Sequence, residues 1–248
     1  MAGRRFAEAR RRLEQVLGDG PDERETVRAA RAVVAELGAA GHLPGLLGEL
    51  ALGAGDPEGC ARLSYRHVLG FHKLLLIDGS PRHMLRAHIW HPSPPRSFLG
   101  LGDIHNHRSA LASYVVRGAL AMELYEVTAD GGLATTRYEE SVSDEPGAEG
   151  EWLLRPTGAA RLRLTQTAEY RTGSGYALAA YTLHRAWATA GAEAGPTVTL
   201  FLETGVRRRR HTDVFTDSAH RQPAVAKSPL DVAGYLAELE ALRELVGG

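Results

Sequence analysis

Asp103-Ile104-His105-Asn106-His107-Arg108 is the stretch on which the reading of this chain turns. Successive side chains on a β-strand point to opposite faces, so a strand here would present the imidazoles of His105 and His107 in one direction. Imidazole is largely unprotonated near neutral pH, which makes it the commonest metal ligand there. A third His from a neighbouring strand would complete a facial set of three ligands and leave positions open for water, dioxygen or substrate. His184, in Tyr181-Thr182-Leu183-His184-Arg185, is that third candidate.

An H-x-H pair is a weak signal in a chain holding 11 His among 248 residues, and its flanks are what strengthen it. An apolar, strand-like run over 111–116 follows the pair, then Gly118 as a turn and a second strand over 119–127. His184 lies in another such run, 176–187, introduced by Gly173-Ser174-Gly175. There Tyr176, Leu178, Ala180, Thr182 and His184 alternate as an inward strand face should.

His105-x-His107, with Gly118 eleven residues after His107 and one distant His184, resembles the two-part metal motif of the cupin superfamily. Within it the chain is most similar to the thiol dioxygenase branch, relatives of cysteine dioxygenase. The order Met84-Leu85-Arg86-Ala87-His88-Ile89-Trp90-His91-Pro92, then the His pair, then Gly118 and Leu120, resembles that branch over residues 65–215, as do His184-Arg185 and Val198-Thr199-Leu200-Phe201-Leu202. The resemblance implies a mainly β, cupin-like double-stranded β-helix barrel. Many cupins place a Glu ligand four or five residues after the pair; Leu111 and Ala112 stand there, which implies a site of three His. The Cys–Tyr crosslink of eukaryotic-type cysteine dioxygenases has no counterpart. Cys60, the single Cys, precedes the barrel, and Glu203 holds the approximate place of the Tyr.

With an all-imidazole set, Fe(II) activating dioxygen leads, and Zn, Ni or Mn in a non-redox cupin enzyme, or a small-molecule-binding cupin module, are the alternatives. If Met84, Arg86, His88 and Trp90 share the inward face of their strand, Arg86 and His88 enter the cavity, where Arg86 could grip a carboxylate or phosphonate in bidentate fashion. Arg86, His88 and Tyr181 are the candidate catalytic side chains. Lys73, Arg86 and Arg108 are the candidate substrate contacts.

The organisation expected around this core is a helical extension over 1–62, the barrel over 63–218 and a tail with a helix over 219–248. Amphipathic spacing predicts helices over 4–17 and from Pro21 to Gly38, and a leucine-rich segment over 43–52. This preface could pack on the barrel or on a homodimer mate. Strands are expected from Val68, with 74–77 ended by Asp78-Gly79-Ser80-Pro81, and further strands over 152–164 and 165–172. Residues 129–151 read as hairpin tips, 91–99 as a loop, and Ser228-Pro229 as a helix start. Lys and Arg number 29 against 30 Asp and Glu, so no overall field favours nucleic acid or an anionic membrane, and the run Arg207 to Arg210 reads as solvated surface. No apolar run is long enough to span a bilayer, and one Cys excludes an internal disulfide framework, which together fit a cytoplasmic protein acting on a small molecule and dioxygen. A nucleophile elbow, a P-loop and a dinucleotide-binding glycine fingerprint are all missing.

Overall fold

A computed structural model describes residues 3–17, 22–67, 70–91, 104–142, 152–189, 195–205, 211–216, 224–225 and 228–247. The readings of Gly18, Gly20, Pro21, Val68, Asp103, residues 92–99, 143–151 and Arg207 to Arg210 lie outside the described residues. Four helices come first: α1 (Arg4–Val16), α2 (Glu23–Gly38), α3 (Leu43–Ala51) and α4 (Pro57–Arg62). The strands are β1 (Tyr65–Arg66), β2 (Phe71–Gly79), β3 (His83–Trp90), β4 (Ile104–His105), β5 (Leu111–Arg117), β6 (Ala119–Val127), β7 (Leu133–Val142), β8 (Trp152–Arg171), β9 (Gly175–Leu178), β10 (Leu183–Ala188), β11 (Thr197–Thr204), β12 (Thr212–Thr216) and β13 (Ala224–Val225); α5 (Val232–Gly247) closes the order.

The strands form two antiparallel sheets. One runs β1-β2-β3-β11-β5-β9, the other β13-β8-β6-β10-β4-β12-β7. Within them, the orders β3-β11-β5-β9 and β8-β6-β10-β4 alternate between the sheets along the chain as two interleaved Greek keys do. That is the jelly-roll connectivity of cupin-type barrels. The mainly β expectation with helices at both ends therefore holds.

Alternation along β3 decides what each face does. Leu85, Ala87 and Ile89 join Leu74, Leu200 and Leu202 in one core with residues of all five helices, among them Leu13, Val34, Leu47, Ala61 and Leu239. The helices thus cover the outer face of the first sheet. Arg86, His88 and Trp90 take the other face, toward the second sheet. There Leu111, Val115, Leu120, Met122, Tyr176, Leu178 and Phe201 fill the barrel floor.

Several elements differ from the sequence reading. Residues 129–151 contain a whole strand, β7, because its partner β8 runs unbroken for 20 residues and pairs with β7 in its first half and β6 in its second. The expected pair of strands over 152–172 is that one strand. Strand β12 bridges β4 and β7, so β4, β12, β7, β8, β6 and β10 close into a ring. Ile104, Leu162, Leu183 and Phe215 fill its interior with Tyr125, Leu133 and Ala160. The run 176–187 is two strands in different sheets, β9 and β10, separated by a turn. At the C-terminus Asp231 is the cap, accepting from the Gly234 N–H at 2.7 Å, while Pro229 forms a bridge to Tyr65. Helix α4 had no counterpart in the apolar periodicity; Asp56 caps it through the Gly59 N–H.

Gly118 makes the tight turn from β5 to β6 with φ +82°, and a Cβ there would lie 2.4 Å from Thr197 Oγ1 and 3.0 Å from Thr197 Cα. Gly118→Ala is expected to destabilise the fold by about 1–3 kcal/mol, seen as a lower thermal midpoint.

Candidate metal centre

Three elements bring His105, His107 and His184 together. β4 ends at His105, whose Cα partner on β10 is His184, so the two imidazoles share the inward face of the second sheet. Their neighbours Ile104 and Leu183 point the other way into the core of the strand ring. One ligand-capable atom from each of the three His lies within 4.8 Å of the others. Ring centroids are 5.2 Å apart for His105 and His107, 4.7 Å for His105 and His184, and 5.0 Å for His107 and His184.

The pairing of His105 with His107 comes about differently from the strand alternation expected. His107 lies beyond the two-residue strand, in a loop held by Asn106 and Asp213. The Asn106 backbone N–H donates to the Asp213 carbonyl at 3.2 Å, and its side-chain amide donates to Asp213 Oδ2 at 2.8 Å. The Asp213 N–H returns a bond to Asn106 Oδ1 at 2.8 Å. Arg137 then donates to Asp213 Oδ1 from Nε at 3.1 Å and Nη2 at 2.8 Å. Asn106 and Asp213 are 2 % and 5 % exposed. Sequence reasoning missed both. The only available signal was an amide between two His, and Asp213 is more than a hundred residues away in the chain.

Electrostatics suit metal ligation. Burial is the main cause that lowers the pKa of each imidazole: His105 to about 4, aided by the charge of Lys73; His184 to about 3, aided by His105; and His107 well below its usual value, aided by its two partners and Lys73. All three are therefore neutral, with lone pairs available, at physiological pH. His184 Nδ1 donates to the Thr182 carbonyl at 3.1 Å, which fixes the tautomer and leaves the Nε2 lone pair available to a metal.

These shifts have a consequence for the metal-free protein. A folded-state pKa below the unfolded value means that unfolding takes up protons, so the stability these groups contribute is complete above pH 6.5 and is lost as pH falls from 6.5 toward 3. Chelator-treated protein is expected to show a thermal midpoint that drops steadily between pH 6.5 and 4. A flat profile there would contradict neutral buried imidazoles.

The other side chains singled out in the sequence are distributed unevenly. Lys73 pairs with His88 across β2 and β3, and both point inward. Arg86, inward and 7 % exposed, donates from Nη1 to Glu203 at 2.6 Å; Ser109 donates to the other oxygen of that carboxylate at 3.3 Å. Arg108 is half-buried just past His107. Tyr181 is not brought to the cluster: it sits 61 % exposed on the turn between β9 and β10. Cys60 is buried under the helices, where desolvation pushes its thiol up to about 11.

A jelly-roll barrel with three converging imidazoles on its inner wall has the architecture of a cupin-type metal site. No protein-family model matches the chain, and no curated protein matches it. Solved structures with a similar strand arrangement include hydroxypropylphosphonic acid epoxidase from S. wedmorenis, at 16% identity over 82% of this chain and 99% of that one, TM-score 0.33. Hydroquinone 1,2-dioxygenase matches at 15% identity over 64% and 70%, TM-score 0.30, and a cupin-like protein from Thermotoga maritima at 10% over 55% and 70%, TM-score 0.29. A DMSP lyase structure matches at 14% identity, TM-score 0.29; this chain spans 48% of its length. Identities and scores this low carry no argument about reaction, metal or substrate, and the fold assignment rests on the strand order. No helix among the described residues is long and apolar enough to cross a membrane.

Proposed function

We propose that this chain is a cupin-type metalloenzyme that binds one divalent ion through His105, His107 and His184, with Fe(II)-dependent oxidation of a small polar or anionic substrate as its reaction. The observation that carries this reading is the convergence of three neutral imidazoles from β4, the following loop and β10 inside the barrel. The donor set fits a borderline transition ion, and it contains no carboxylate or thiolate. When bound, such an ion supplies a Lewis-acidic centre with positions that the three imidazoles leave open.

The chain's own residues prepare that centre. Thr182 orients His184, and the Asn106–Asp213 clamp fixes the loop that carries His107. The apolar floor of Leu111, Val115, Met122 and Phe201 excludes water from below, which strengthens every charge interaction above it. Lys73 gives the cavity a cationic side chain.

Elemental analysis of protein purified without added metal, beside His184→Ala, tests the reading. Iron near one per chain, lost in the variant, supports it and directs oxygen-uptake assays to small thiols and amino acids, the substrates of the thiol dioxygenase branch. Zinc or nickel would move the chemistry to Lewis-acid catalysis, and absence of metal would overturn the proposal.

A further inference from the structure

Of the three histidines, His107 alone lies outside a strand, in the segment 106–110 between β4 and β5. The clamp of Asn106 on Asp213 holds the start of that segment to the second sheet. Its end is held to the first sheet, by β11. Thr204 donates to the Ala110 carbonyl from its N–H at 2.9 Å and from Oγ1 at 2.8 Å, and Ser109 Oγ donates to Glu203 Oε1 at 3.3 Å. Ser109 and Ala110 are fully buried.

A hydroxyl held by a carboxylate is held more firmly than by a neutral acceptor, provided that the carboxylate itself stays in place. Arg86 meets that condition. Its Nη1 donates to Glu203 Oε2 at 2.6 Å, while its Nη2 faces Met84 Sδ at 2.9 Å. One carboxylate oxygen thus takes the cation and the other the hydroxyl. The Arg86 and Glu203 side chains are 8% and 15% exposed, so salt screens their attraction little. Two residues back on the same face of β11 stands Phe201, whose ring lies 5.6 Å from that of His107. Strand β11 therefore reaches the His107 segment twice, by ring packing and through its carboxylate.

We propose that Glu203 is a positioning residue for His107: through Ser109 it fixes the segment to the first sheet, as Asp213 fixes it to the second, and Arg86 holds its carboxylate in place. The inference rests on the metal reading above and deepens it. His107 is set against His105 and His184 by anchors on opposite sheets, one residue before it and two residues after it.

Anaerobic titration of the full, chelator-treated chain with Co(II), followed by its visible ligand-field absorption and by competition with a chelator, tests it without any turnover. Glu203→Ala is expected to weaken Co(II) binding about tenfold or more and to change the spectrum, and Ser109→Ala to weaken it several-fold. Glu203→Gln, which keeps an acceptor for Ser109, should recover most of the affinity and the wild-type spectrum, at a lower thermal midpoint because Arg86 loses its charge partner. Gly118→Ala, destabilised at a turn away from the histidines, should keep the wild-type spectrum. Wild-type affinity and spectrum in Glu203→Ala overturn the inference and leave the metal reading standing. Equal losses in Glu203→Ala and Glu203→Gln with Ser109→Ala unchanged also overturn it, as does the same spectral change in Gly118→Ala. A wild-type chain that takes up no Co(II) removes the metal reading itself and the positioning role with it, so the two failures are told apart.

Discussion

His184→Ala is expected to abolish stoichiometric metal binding, with affinity falling by more than about 100-fold, beyond what loss of a residue that merely supports a ligand costs. The reason lies in the geometry. His184 is the candidate ligand that joins the two halves of the chain: it faces His105 across the β10–β4 pair and stacks 22° from the plane of His107. Removing it leaves two imidazoles on one edge of the cavity, and a bidentate site competes poorly with chelators. His105→Ala and His107→Ala should behave alike. Metal content after dialysis against a graded chelator series measures the effect, and circular dichroism checks the fold. Full metal retention in any of the three variants would exclude that residue from the centre.

The second large effect is expected at a residue that contacts no metal. Asp213→Ala removes the acceptor for the Asn106 amide and for Arg137. The buried amide left without its partner costs about 1–3 kcal/mol, while the Arg137 side chain, 44% exposed, returns to solvent at small cost. The loop carrying His107 then loses one of its restraints, and metal affinity should fall about ten- to hundredfold, as when an outer partner of a ligand is removed. Arg137→Ala is the control, with a change within about threefold. A thermal midpoint lowered in Asp213→Ala with unchanged metal affinity would make the clamp structural only.

Local pattern made much of this protein legible. The apolar spacing of α1, α2 and α3, the β3 alternation, the Gly118 turn and the two halves of the histidine set all follow from side-chain period and residue chemistry. The even division of β3 into two faces was readable, but which face turned inward was not. That required the helices, whose apolar stripes claim Leu85, Ala87 and Ile89 and leave Arg86, His88 and Trp90 to the cavity.

Where the sequence misled, long-range pairing was the cause. Strand β7 sits in a polar segment that hairpin composition describes well, and only its pairing with β8 and β12 makes it a strand. The run 176–187 alternates without a break, yet β9 and β10 belong to opposite sheets, since a turn at residues 179–182 costs the pattern nothing.

The sequence by itself determined the three candidate ligands and the mainly β class, because these depend on residue identity and short periodicity, whereas burial in the fold is what keeps the imidazoles neutral. Tertiary structure alone decided how His107 joins His105, that Arg86 is committed to Glu203, and that Lys73 stands opposite His88. Each of these is a contact between segments far apart in the chain. Such contacts are fixed by register and by which apolar face is buried, and local composition records neither.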